Sequence, residues 1–203
     1  MGMDSETFSS VPLQPVGPFV VTGPSGSGRT CALETLVTEM KALNMPVHVL
    51  SDRRSVISSL DGLASTCVGA ETILLEADTL CATLASLPIT APRHAVIIEG
   101  LGELSGTEAE YPLANLIRSA IAHDHFVVGE GEVNSLGSAY ELMKRFKAGR
   151  RGIVLQPDDG QAHLLQTTFP RCKASDFVPG RGFLVEKGQS RLVQVASTHQ
   201  QDG

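Results

Sequence analysis

The sequence predicts an α/β fold: a mostly parallel central sheet flanked by helices, with a small antiparallel hairpin at the C-terminal end. Three observations carry this. Short apolar runs alternate with longer segments whose apolar residues recur at helical spacing. Residues 95–98 (Ala-Val-Ile-Ile) form a continuous apolar run, as expected of a central parallel strand buried on both faces. Two short β-rich runs, 183–186 and 191–195, flank Lys187-Gly188-Gln189, which is a hairpin signal.

Residues 1–16 are polar and carry Pro12 and Pro15, so they read as a leader or linker. One domain is expected over residues 17–196, with a flexible tail at 197–203. Phe19-Val20-Val21 reads as a strand running into Gly23. Residues 30–43 place Ala32, Leu33, Leu36, Val37, Met40 and Leu43 at helical spacing. A strand follows at 46–50 and a short helix at 53–63. Thr72-Ile73-Leu74-Leu75 reads as a strand, after which Asp78 is expected to cap a helix that ends near Leu87, before Pro88 and Pro92. Beyond the run ending at Glu99, helices are expected at 112–122 and 138–146 and strands at 126–128 and 152–156.

Composition narrows the function. The chain has 203 residues, the size of a single domain. Its 16 Lys and Arg against 22 Asp and Glu give a net charge of −6, which argues against a general nucleic-acid binder. Cys31, Cys67, Cys81 and Cys172 show no two-residue spacing, so they read as buried free thiols of a reducing compartment. The six histidines lack ligand spacing. No run approaches 18 apolar residues, and the start (Met-Gly-Met-Asp-Ser-Glu) has no secretory apolar core. Glu6 stands where myristoylation wants Ser or Thr.

The chemistry concentrates in Gly23-Pro24-Ser25-Gly26-Ser27-Gly28-Arg29-Thr30. The phosphate-binding loop pattern is Gly, four residues, Gly, Lys, then Ser or Thr. Gly23, Gly28 and Thr30 fit it, and Arg29 replaces the Lys. A strand precedes the loop and a helix follows, as the physics requires. Glycines let backbone N–H groups turn towards phosphates, and the helix adds its positive end. Thr30 offers a hydroxyl to Mg²⁺. Arg29 brings a planar fork in place of a compact point charge, which can neutralise phosphate but is less suited to follow charge onto a departing phosphoryl group. A phosphoryl-transfer site also needs a carboxylate at a neighbouring strand end. Glu99 is the candidate, for Mg²⁺ or as the catalytic carboxylate. Gly100 leaves the adjacent position without a second one, and Glu103 and Glu108 lie beyond the strand and are expected to face solvent.

Loop, strand and tail together resemble the FtsK/SpoIIIE-type P-loop ATPases, most closely an ATPase domain of the EccC/EssC motors of type VII secretion. The resemblance runs from Val16 to Ala196. It rests on the loop, His94-Ala95-Val96-Ile97-Ile98-Glu99-Gly100, Gly149-Arg150-Arg151-Gly152-Ile153-Val154-Leu155-Gln156-Pro157-Asp158, Pro179-Gly180-Arg181-Gly182-Phe183-Leu184-Val185 and the closing Val193-Gln194-Val195-Ala196. It implies a RecA-like P-loop NTPase sheet and a cytoplasmic place at a membrane secretion machine. It implies assembly with other ATPase domains of the same motor, and oligomers in the full-length setting. Such motors carry degenerate C-terminal domains that hold ATP and Mg²⁺ and dock small helical WXG100-type substrates. Arg29 and Glu99-Gly100 depart from the active pattern and imply weak or absent hydrolysis. An ATPase active only in an assembled ring and a nucleotide-free interaction domain are the alternatives. Arg150 and Arg151 read as solvated residues at a helix end more than as an arginine finger. Arg181 fits a glycine-flanked turn, and Glu130 and Asn134 fall where RecA-like folds place a polar sensor. Phe146, Phe169 and Phe177 read as core or interface.

Overall fold

The computed structural model describes residues 2–4, 10–157, 164–173 and 176–196. Asp158, residues 5–9 of the expected leader and the expected tail lie outside the described residues. The strands are β1 (Gly2–Asp4), β2 (Ser10–Val11), β3 (Gly17–Thr22), β4 (Val47–Ser51), β5 (Ser65–Val68), β6 (Ala95–Glu99), β7 (Phe126–Gly131), β8 (Gly152–Leu155), β9 (Arg181–Glu186) and β10 (Gln189–Val195). They join one sheet in the order β2-β1-β10-β9-β8-β3-β7-β6-β4-β5. Strands β8, β3, β7, β6, β4 and β5 pair in parallel. The β9–β10 hairpin continues the sheet antiparallel, as the sequence predicts. The expected leader supplies two further strands: β1 pairs with β10 and β2 with β1. Their polar residues carry little strand signal, and the pairing depends on the far end of the chain.

The helices are α1 (Arg29–Ala42), α2 (Ala70–Ser86), α3 (Glu110–Ala122), α4 (Val133–Ser138) and α5 (Tyr140–Gly149). Alternation along each strand divides the core in two. Phe19, Val21, Ile97 and Val128 pack with Leu33, Leu36, Val37 and Met40 of α1. Val20, Val96, Ile98 and Val127 pack on the other face with Ile73 and Leu84 of α2, Leu116 of α3 and Phe146 of α5.

The expected strand at 72–75 is instead the first part of α2. Ile73, Ala77 and Leu84 are its buried residues, at helical spacing, and the helix starts after Gly69 rather than at Asp78. The strand in this region is β5, where only Cys67 is buried. An edge strand of this kind offers no apolar run to read. The expected helix at 53–63 contracts to a 3-10 turn at Ile57–Ser59. The Ser55 and Ser58 backbone N–H groups each donate to the other's hydroxyl there, at 2.8 and 3.0 Å, offering the backbone a local alternative to a helix. The helix expected at 138–146 is α5, which starts at Tyr140 and runs on to Gly149; a further short helix, α4, precedes it, separated by a break at Ala139 (ψ 60°). All four cysteines are free, but only Cys67 is buried, and Cys172 is exposed.

Phe146 is fully buried. Phe169 stacks on Phe183 with ring centroids 5.0 Å apart, and Phe177 meets the same ring edge-on. At the N-terminal ends of the parallel strands, His48, His94 and His125 form a chain. His48 Nε2 and His94 Nδ1 are 2.9 Å apart, His48 Nδ1 pairs with Ser65 Oγ at 2.8 Å, and the His94 backbone N–H donates to His125 Nδ1 at 3.1 Å. No helix among the described residues is long and apolar enough to cross a membrane.

Candidate nucleotide-binding site

In a parallel α/β sheet, ligands bind beyond the carboxyl ends of the strands. Here β3 ends in the glycine loop, β4 is followed by Asp52, β6 ends at Glu99, and β7 ends at Glu130-Gly131. Together they border an open cleft of about 960 Å³. Thr22 Oγ1 donates to the Gly131 carbonyl at 2.9 Å and fixes two of these ends to each other.

The loop turns through left-handed conformations at Gly26 (φ +77°) and Gly28 (φ +96°). Gly28 is the residue before α1, whose N-terminus has no side-chain cap and no acidic residue in its first turn. The first backbone N–H groups of a helix have no partner within it. At this end they are left as donors at the cleft, where Gly28, Arg29 and Thr30 are lining residues. A second brace comes from far along the chain. The Gly180 N–H donates to the Ser27 carbonyl at 2.8 Å, and a Cβ on Gly28 would lie 2.7 Å from the Gly180 nitrogen. Pro179-Gly180-Arg181-Gly182 thus supports the loop from behind.

Of the sequence-predicted loop residues, Ser25, Gly26, Gly28, Arg29 and Thr30 line the cleft together with Glu99. Gly23 and Ser27 are buried behind them, and Pro24 is exposed at the turn. Glu99 is buried, and the Ser55 hydroxyl donates to its Oε2 at 2.5 Å. Burial pushes the Glu99 carboxyl above the ordinary carboxylate range. The Ser55 hydrogen bond opposes this rise, and the charges of Glu130 and Asp52 add to it. Burial also raises Glu130, against the pull of Arg29. Asp52 is raised by burial too, with Arg53 opposing.

Arg29 does not stand alone. Its Nη1 lies 2.7 Å from Glu130 Oε1, and its Nη2 lies 3.2 Å from Glu132 Oε1. The other Glu130 oxygen accepts the Gly100 N–H at 3.2 Å. A side chain at Gly100 would have to displace Asp52, since a Cβ there would lie 2.4 Å from Asp52 Oδ1, and the backbone there is left-handed (φ +65°). Asp52, Ser55, Glu103 and Glu132 also line the cleft. The sequence suggested no site role for any of them; Glu103, expected to face solvent, is exposed but does so at the cleft. Asp52 was the most findable, since it lies two residues beyond the expected strand at 46–50.

The other candidates fall elsewhere. Arg151 donates to the Val16 and Gln14 carbonyls at 2.6 and 2.9 Å, and Arg150 donates to the Gln166 carbonyl at 2.7 Å. Arg181 opens β9, and neither it nor Asn134 lines the cleft. Among the described residues no group of three or more His, Cys, Asp or Glu could hold a metal unaided. Thr30 and Glu99 are hard oxygen donors of the kind Mg²⁺ takes alongside phosphate and water. The uncapped helix end, the glycine loop and these two oxygens fit a Mg-nucleotide.

No protein-family model matches the sequence, and no curated protein matches it significantly. Solved structures do resemble the fold. The cytoplasmic domain of the Thermomonospora curvata type VII secretion ATPase EccC matches over 98% of this chain and 26% of its own, at TM-score 0.71 and 16% identity. The cytoplasmic domain of EssC matches over 97% of this chain and 43% of its own, at TM-score 0.72 and 17% identity. The pCW3 conjugation coupling protein TcpA, solved with ATPgS, matches over 98% of this chain and 66% of its own, at TM-score 0.70 and 14% identity. The chain spans between about a quarter and two thirds of the length of these proteins. The chain therefore shares the fold of the cytoplasmic domains of EccC and EssC and of TcpA.

Proposed function

We propose that this chain is a nucleotide-binding domain of a type VII secretion (FtsK/SpoIIIE-like) motor. It holds Mg-ATP with weak or no hydrolysis and makes contacts with neighbouring ATPase domains and with secreted substrates, small helical proteins of the WXG100 type, at the cytoplasmic face of the membrane machine. The observation that carries the reading is the uncapped N-terminus of α1, opening from a left-handed glycine at the floor of a cleft large enough for a nucleotide. A partner role is supported by likeness to EccC, one structure of which holds its ATPases 2 and 3 with a signal sequence peptide, at 17% identity and TM-score 0.70.

In this reading the backbone N–H groups of residues 26–30 receive the phosphates. Thr30 and Glu99 hold Mg²⁺, which when bound neutralises phosphate charge. Arg29 supplies the remaining positive charge once it engages phosphate. Weak hydrolysis follows from two features. Position 100 offers no carboxylate beside Glu99, and Arg29 is committed to Glu130 and Glu132.

Thermal unfolding with and without Mg-ATP tests the binding. A ligand at 100 times its dissociation constant adds about 2.7 kcal/mol to stability. For a chain of this length that raises the midpoint by about 5–11 °C. Arg29→Ala is expected to shrink the shift. An unchanged midpoint at millimolar Mg-ATP would leave a scaffold for protein contacts alone.

One observation favours a turnover-competent reading. Asp52 occupies the space beside Gly100 that a second carboxylate would use. Steady ATP turnover that falls at least ten-fold in Asp52→Asn would select that reading over the weak-hydrolysis one.

A further inference from the structure

We propose that Glu130, assisted by Glu132, competes with the nucleotide's phosphates for Arg29: it holds Arg29 in an autoinhibitory ion pair that must open before Arg29 can serve the bound nucleotide. The proposal rests on the nucleotide-binding reading above and specifies how that site is regulated.

The geometry is that of a two-point clamp. Arg29 leaves the first turn of α1, and its two terminal nitrogens take carboxylates from two different residues at and just beyond the end of β7, at 2.7 and 3.2 Å. A guanidinium presents its donors as a planar fork, so it can span two oxygen acceptors at once, whereas an ammonium acts as a point charge. The arginine in place of the usual lysine of the loop therefore suits the clamp. Glu130 is well placed to hold it. Its side chain is only 13% exposed, and its second oxygen is anchored by the Gly100 N–H. Glu132 is about half exposed, and a solvent-facing pair of this kind contributes little. Glu130 is thus the principal holder.

Charge in the cleft makes the competition real. Among the described residues, the lining includes the carboxylates Glu34, Asp52, Glu99, Glu103, Glu130 and Glu132 but only two basic side chains, Arg29 and Arg53. Phosphate brought beside an Arg29 still paired to Glu130 would add negative charge against negative charge. Exchange of partners, from carboxylate to phosphate, neutralises the phosphate but leaves Glu130 unpaired beside it, and that cost weakens binding. Breaking the clamp in advance should therefore tighten binding.

The test is an equilibrium titration of the whole chain with Mg-ATP, comparing wild type, Glu130→Gln and Glu130→Asp. Glu130→Gln removes both charge and clamp. Glu130→Asp keeps the charge but shortens the side chain by one methylene, so it no longer spans to Arg29. The expected result is about ten-fold tighter binding in Glu130→Gln and several-fold tighter binding in Glu130→Asp, with unfolding midpoints near that of wild type. Measurable binding by wild type with no gain in Glu130→Asp would overturn the proposal, because any gain in Glu130→Gln alone would then be a field effect. Binding by either variant but not by wild type would support it strongly. No binding by any of the three would overturn the nucleotide reading itself, and this proposal with it.

Discussion

Gly28→Val is expected to lower stability by about 3 kcal/mol or more and to eliminate nucleotide binding. Two costs add. The residue sits at φ +96°, in the left-handed region, where an L-residue costs roughly 1–2 kcal/mol and a β-branched one is an outlier. The new Cβ would also lie 2.7 Å from the Gly180 nitrogen and 3.1 Å from its Cα. Backbone cannot yield there as a flexible side chain can, and Gly180 is held by its own hydrogen bond to Ser27. Overpacking of this kind costs about 1–3 kcal/mol. The unfolding midpoint should fall by about 6–12 °C. Gly26→Ala is the control. Gly26 is also left-handed, at φ +77°, but nothing lies within 4 Å of its would-be Cβ. It should cost about 1 kcal/mol, from backbone strain alone. Equal midpoints for the two variants would show that the Gly28–Gly180 contact does not brace the loop.

Acidification to pH 4 is the second large effect. His48 is buried, and its pKa is lowered to about 4, first by burial and then by the neighbouring His94 and His125. His94 is lowered too, again chiefly by burial. The hydrogen bonds fit this: His48 Nε2 and His94 Nδ1 are 2.9 Å apart, and one of the two nitrogens must accept. A folded pKa below the unfolded value means that the unfolded chain binds protons first. His48's contribution to stability is therefore complete above pH 6.5 and falls as the pH drops towards 4. A lowering from 6.5 to about 4 corresponds to about 3 kcal/mol. The carboxyls of Asp52, Glu99 and Glu130 act in the opposite sense. Their folded values are raised, so protonation relieves them as the pH falls. Comparison with His48→Gln cancels that opposing contribution. Relative to the variant, wild type should lose stability by about 3 kcal/mol between pH 7 and pH 4. Parallel curves for the two proteins over this range would contradict the account.

Much of the fold was legible because its signals are local. The apolar run at 95–98 became β6, buried at every position. The spacing after the glycine loop became α1, and the turn at Lys187-Gly188 joined the β9–β10 hairpin. What escaped depends on distant partners. β5 buries a single cysteine and is a strand because β4 pairs with it. β1 and β2 exist through β10, nearly two hundred residues away in sequence. The same division holds at the cleft. The loop and Glu99 stood out because one segment carries the phosphate pattern and the other ends an apolar strand. Asp52 and Glu132 belong to other strand ends, and only the parallel order β3-β7-β6-β4 brings them alongside. The pairing of Arg29 with Glu130 spans 101 residues of sequence, and no local pattern announces it.

Equilibrium dialysis of Mg-ATP against wild type and Gly28→Val tests the central claim most directly. The account predicts one nucleotide per wild-type chain, lost in the variant, while Gly26→Ala retains binding. No retained nucleotide in wild type at millimolar Mg-ATP, or equal retention by Gly28→Val, would contradict it.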